Sequence, residues 1–119
     1  MEKPVLRLFP PPHEELPLKG LYLSHRLQGR QLVYTNFATS LDGRIALPDP
    51  KRGVYRIPRA VANARDWRLF QELAAQADLL LTSGRYFRDL ASGQAQSSVP
   101  ISNAPEHNDL LRWRAVHGL

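Results

Sequence analysis

At 119 residues the chain is one domain, or part of one, and 43% hydrophobic with 23% charged residues is the balance of a globular protein. With no cysteine it has no disulfide, no zinc–cysteine site and no thiol nucleophile. A net charge of +5, carried mainly by arginine, favours phosphate-bearing partners, because the guanidinium fork matches phosphate oxygens.

The basic residues are dispersed, without a lysine-arginine block or interleaved aromatics, so a phosphorylated small molecule or cofactor is expected rather than nucleic acid. The opening MEKPVLRLFPPPHEEL lacks the apolar core of a signal peptide, and no window approaches a membrane span. No membrane association and a cytoplasmic address are the expectations.

Residues 1–20 read as an N-terminal arm, with five prolines in the first 18 positions and little periodicity. Leu21–Leu27 fits either a short strand or a helical turn. Gln28-Gly29-Arg30 reads as a turn into Leu32–Ala38, whose apolar run predicts a mostly buried strand. Asp42-Gly43 then interrupts that run, and Pro48, Pro50 and Gly53 predict a loop. Asn63 is a good helix N-cap with Asp66 three residues on. Ala64–Ala77 follows as a helix, with Leu69, Phe70, Leu73 and Ala77 on its apolar face and its charges, including Arg65 and Arg68, toward solvent.

Ala77–Ser83 predicts a second buried strand. Gly84–Leu90 reads as a short helix, and residues 91–104 as polar and irregular. After Pro105 the segment Glu106–His117 predicts a helix anchored by Leu110, Leu111 and Trp113 and closed by Gly118. Strand, helix and strand in that order imply parallel pairing. His13, His25, His107 and His117 are scattered without metal-ligand spacing, and Ser40 lacks a nucleophile elbow.

Two motifs carry a family resemblance. NFATSLDGRIA, Asn36 to Ala46, closely resembles the opening strand and loop of the reductase domain of riboflavin biosynthesis. TSGRYF, Thr82 to Phe87, resembles the second strand of that fold, where a Gly-Arg pair starts a helix. The resemblance implies a dihydrofolate-reductase-like α/β fold: a three-layer sandwich with a mostly parallel sheet, of which residues 21–119 form the N-terminal part. It also implies an NADPH-dependent reductase acting on a pyrimidine- or pterin-like heterocycle, similar to 5-amino-6-(5-phosphoribosylamino)uracil reductase, and a homodimer.

By the same resemblance Ala38, Thr39 and Ile45 meet the nicotinamide end of the cofactor. Gly84, Arg85 and Tyr86 meet its phosphates, with Arg85 on the 2′-phosphate. Asn36, Ser40, Asp42 and Asp89 face the substrate. The chain departs from the family in having Phe87 two residues after the arginine, Asp89 alone in place of an Asp-Asp-Pro segment, and Ala74 where a helix arginine stands. The later glycine pair of the cofactor cradle is expected beyond residue 119. Two rivals follow from the same residues: a non-catalytic fragment covered by a partner, and a basic nucleic-acid-binding module.

Overall fold

The computed structural model describes residues 3–51, 53–58, 60–94 and 101–119. In chain order these form strands β1 (Val5–Arg7) and β2 (Glu14–Leu16), a 3-10 turn at Leu23–His25, and strands β3 (Leu47–Asp49) and β4 (Val54–Arg56). Helices α1 (Ala64–Ala75) and α2 (Gly84–Ala91), a 3-10 turn at Pro105–His107 and helix α3 (Asn108–Val116) follow.

The sheets overturn the expected sandwich. Among the described residues the strands form two separate antiparallel pairs, β1 with β2 and β3 with β4, and no parallel pair. The proline-rich arm folds back on itself, with Val5 opposite Leu16 and Arg7 opposite Glu14. The latter two also form an ion pair at 2.7 Å. The predicted loop after the Asp-Gly turn is itself a hairpin with Pro48 opposite Tyr55. A two-stranded ribbon tolerates that proline because its missing N–H faces no third strand.

Leu32–Ala38 and Ala77–Ser83 were expected to pair in parallel, yet neither belongs to a strand. Among the described residues, no hydrogen bond engages the main chain of residues 28–39 or 78–82. A parallel pair becomes stable when helices cover both of its faces. Here α1 commits one face elsewhere.

That commitment reverses the expected burial of α1. Its buried side chains are Arg68, Gln71, Glu72, Ala74 and Ala75, while Leu69, Phe70 and Leu73 are half-buried. The polar side is inside because Arg68, Gln71, Glu72 and Gln76 each find at least one partner, with only the Gln71 amide nitrogen left unpaired among these four. Arg68 Nε donates to Glu72 Oε1 at 3.0 Å. The Glu72 carboxylate accepts the Gly20 and Tyr22 amides at 2.6 and 2.9 Å. Gln76 accepts the Leu27 amide and donates to the Tyr22 carbonyl, both at 2.8 Å. Gln71 accepts the Ser102 amide at 2.8 Å. Buried polar groups are tolerated when they are hydrogen-bonded, and these tie the 20–27 and 101–104 segments to the helix.

The ends of α1 are as predicted at one side and unforeseen at the other. Asn63 caps it, its side chain accepting from the Arg65 and Asp66 amides at 2.9 and 3.2 Å. At the far end Arg114 of α3 donates to the carbonyls of Ala75 and Ala77 at 3.0 and 2.9 Å, a cation at the negative end of the helix dipole. The apolar core is small: Ala75, Ile101 and Leu110, with Leu23 and Trp113 packed against it. Arg65, expected in solvent, ties the arm by donating to the Lys3 and Pro4 carbonyls at 2.6 and 3.0 Å.

Candidate functional site

The first motif folds as a closed turn. The Gly43 amide donates to the Ser40 carbonyl at 2.9 Å and the Ser40 amide to the Arg44 carbonyl at 3.0 Å. Gly43 has φ +79°, a conformation open to glycine at little cost, which is why Gly follows Asp42 here. The Asp42 carboxylate accepts from the Ser40 hydroxyl and pairs with Arg44 Nε at 3.1 Å. These contacts account for Ser40 and Asp42 as builders of the turn. They also keep Arg44–Leu47 away from Leu32–Ala38, because Leu47 pairs onward with Arg56 instead.

On either side of this turn the main chain is left without internal partners. Among the described residues, the N–H and C=O groups of Ala38, Thr39 and Ile45 make no hydrogen bond. Ile45, with Ser40 and Asp42, also lines a cavity of about 260 Å³ closed by Leu47, Ile57, Pro58 and Val61. Ala38 and Thr39 lie outside that lining.

The second motif opens α2. Ser83 caps it by accepting the Tyr86 amide at 3.2 Å, leaving the Gly84 and Arg85 amides at the positive end of the helix dipole. A Cβ added to Gly84 would meet only the end of the Arg88 side chain, at 3.5 Å. The chain's own packing therefore does not demand a glycine there. Arg85 is well exposed and Asp89 stands one turn on, 3.7 Å from its Nε. Asp89 thus faces Arg85 rather than the cleft described next.

Parts of the two motifs meet in a larger cleft of about 610 Å³. Asn36 and Phe37 reach it from the first motif, Thr82 and Tyr86 from the second, and Phe70, Leu73 and Ala77 from α1 and its end. Gly84, Arg85 and Asp89 are not part of its lining, nor are Ala38, Thr39 and Ser40. Tyr86 packs edge-on against Phe87, with ring centroids 5.7 Å apart. Phe87, the residue two positions after Arg85 at which the chain departs from the resemblance, is exposed.

Tyr34 is a cleft residue that the sequence reading passed over. Its hydroxyl donates to the Leu73 carbonyl at 2.7 Å, fixing the first segment to α1. Burial pushes that hydroxyl's pKa up, the Asp78 carboxylate adds to the rise and Arg114 opposes it. The phenol therefore stays protonated and remains a donor. A tyrosine inside an apolar run is the signal that was available, because a buried ring needs a partner for its O–H.

Among the described residues no group of three or more His, Asp or Glu side chains is placed to hold a metal ion. No helix among them is long and apolar enough to cross a membrane. Compared with protein-family models, with curated proteins and with solved structures, the chain matches none.

Proposed function

We propose that this chain forms the cofactor-binding part of an NADPH-dependent reductase for a pyrimidine- or pterin-like heterocycle. One observation carries the reading: two motifs almost fifty residues apart in sequence supply walls of the same cleft, through Asn36 and Phe37 on one side and Thr82 and Tyr86 on the other.

The residues fit the group. The main-chain amides and carbonyls of Ala38, Thr39 and Ile45 are uncommitted, and a carboxamide offers both a donor and an acceptor to such groups. The free amides at the start of α2 suit a pyrophosphate. The exposed Arg85 guanidinium suits the 2′-phosphate that separates NADPH from NADH. Asn36 carries the amide that would meet a heterocycle edge. When bound, the cofactor supplies a hydride, and the protein has only to orient donor and acceptor carbons and exclude water. No acid–base pair is needed among these side chains for that task.

Calorimetric titration of the folded chain with NADPH and with NADH tests the reading, using Arg85→Ala beside the parent. A preference for NADPH that Arg85→Ala reduces roughly tenfold to a hundredfold supports it, as expected for a charged hydrogen bond. No heat with either cofactor from folded protein would leave the non-catalytic reading in its place.

A further inference from the structure

The Asp42-Gly43 turn and the β3–β4 hairpin border the smaller hollow, of about 260 Å³. It shares no lining residue with the larger cleft. Its walls are of two kinds. Ile45, Leu47, Ile57, Pro58 and Val61 supply aliphatic surface from three stretches of chain. Ile45 and Ile57 are 50% exposed and Leu47 40%, so the chain's own packing does not close this surface off. The polar wall is Ser40, Asp42 and Arg44, which touch one another, so the polarity is gathered at one place. Aliphatic walls with a single charged spot disfavour polyols and nucleotides, whose hydroxyls would lose water without gaining partners.

Each charge in that spot keeps unused capacity. Asp42 takes one contact on each oxygen, from the Ser40 hydroxyl and from Arg44 Nε. A carboxylate oxygen accepts two hydrogen bonds, so a place remains on each. The terminal guanidinium nitrogens of Arg44 have no partner among the described residues. Both side chains are more than half exposed, and an exposed ion pair contributes little by itself. A ligand can therefore engage either charge at small cost. The two charges sum to zero, which favours neither a simple anion nor a simple cation. They fit a ligand that carries both signs side by side.

We propose that this hollow binds a free aliphatic α-amino acid of the size of leucine. The ligand's carboxylate meets the Arg44 guanidinium and its ammonium meets the Asp42 carboxylate. Its branched side chain lies against Ile45, Leu47, Ile57 and Val61, where it leaves water. The volume agrees. A cavity of about 150 Å³ holds a six-carbon ring, so one of about 260 Å³ has room for roughly ten non-hydrogen atoms. The proposal does not rest on the cofactor reading: Ile45 is the one residue they share, and the test needs no cofactor.

NMR titration of the isotopically labelled chain with L-leucine tests it. Two analogues are run beside it: 4-methylpentanoate, which lacks the ammonium, and 3-methylbutylamine, which lacks the carboxylate. L-leucine at millimolar concentration should shift the methyl signals of Ile45, Ile57 and Val61 and the amide signals of residues 40–44. The signals of Thr82 and Tyr86 in the larger cleft should stay in place. Each analogue should bind roughly tenfold or more weakly, having lost one set of charged hydrogen bonds. Arg44→Gln should weaken L-leucine and 4-methylpentanoate by a similar factor. It should not weaken 3-methylbutylamine, whose ammonium meets Asp42 alone. The comparison of the three ligands on the parent chain stands whatever the stability of that variant. No shift with L-leucine up to tens of millimolar overturns the proposal. So do equal affinities for the three ligands, shifts confined to the larger cleft, or a folded Arg44→Gln variant that loses the amine as fully as the amino acid.

Discussion

The guanidinium of Arg68 on α1 holds both carboxylate oxygens of Asp109 on α3, at 2.8 and 2.6 Å. It also donates to Glu72, so one buried cation is shared between a fully buried carboxylate and a half-exposed one. The pair joins two helices whose shared apolar core is only a few side chains across. Removing one member of a buried pair is costly because the other charge is left in low dielectric. Arg68→Ala should therefore destabilise the fold by about 3–5 kcal/mol, read from the midpoint of urea unfolding. Arg68→Lys should not restore it, since an ammonium cannot reproduce the two-pronged contact. A loss under about 1 kcal/mol would mean that Glu72 and Asp109 find other partners.

Acid should weaken the same junction. The hydrogen bonds from Arg68 hold the Asp109 carboxyl below its ordinary pKa, outweighing the opposing effect of burial. A carboxylate with a depressed folded pKa contributes stability that is present above its unfolded value, about 4, and is lost as pH falls through the folded one. Asp66 works in the opposite sense. Burial raises its pKa, so its ionised form costs stability that is recovered as it protonates on acidification. Melting temperature against pH should thus hold or rise slightly on approach to pH 4 and fall below it. Asp109→Asn should flatten the fall, and an unchanged acid limb in that variant would contradict the assignment.

The helices were legible in the sequence because their signals are local. Asn63 three residues before Asp66, Gly84 at the start of α2, and Gly118 past Val116 mark ends without reference to the rest of the chain, although the Ser83 cap itself was not read. The orientation of α1 was not legible. An amphipathic pattern places Leu69, Phe70 and Leu73 inward, and only the partners of Arg68, Gln71, Glu72 and Gln76 reverse it. For Gln71, Glu72 and Gln76 those partners are main-chain amides and carbonyls of the 20–27 and 101–104 segments, to which any sequence contributes alike, and for Arg68 they are the carboxylates of Glu72 and the distant Asp109. For the same reason Leu32–Ala38 and Ala77–Ser83 were read as buried strands paired in parallel although neither belongs to a strand, since pairing depends on what lies between and over them. At the site, the turn at Asp42-Gly43 and the helix start at Gly84 were read from the residues. Tyr34 as a cleft wall and Asp89 as a partner of Arg85 were not.

Two glycines at the candidate site should respond to alanine in opposite ways. Gly43 has φ +79°, so Gly43→Ala forces a left-handed alanine and costs about 1 kcal/mol or more. Gly84 sits in the first turn of a helix with room for a Cβ. Gly84→Ala should be neutral or stabilise by up to about 1 kcal/mol. If the glycine serves a ligand's approach, that same variant binds NADPH more weakly while melting no lower than the parent. Thermal melts paired with cofactor titration separate the two effects. Unchanged affinity in Gly84→Ala would remove the phosphate contact from this turn.

The cap at Asn63 offers a control remote from the cleft lining. Asn63→Ala leaves the Arg65 and Asp66 amides without their side-chain partner and should cost about 1 kcal/mol of stability. Cofactor affinity at a temperature where the variant is folded should not change. A parallel fall in affinity would show that binding tracks general stability of the chain.

The claim that both motifs serve one ligand is tested most directly by amide hydrogen exchange with and without NADPH. The amides of Ala38, Thr39, Ile45, Gly84 and Arg85 have no internal acceptor, so they exchange rapidly in the free chain. With saturating NADPH, exchange should slow in peptides covering 38–45 and 83–86 together, while the β1–β2 hairpin stays unchanged. Slowing in one of the two segments alone, or in neither, would contradict the account.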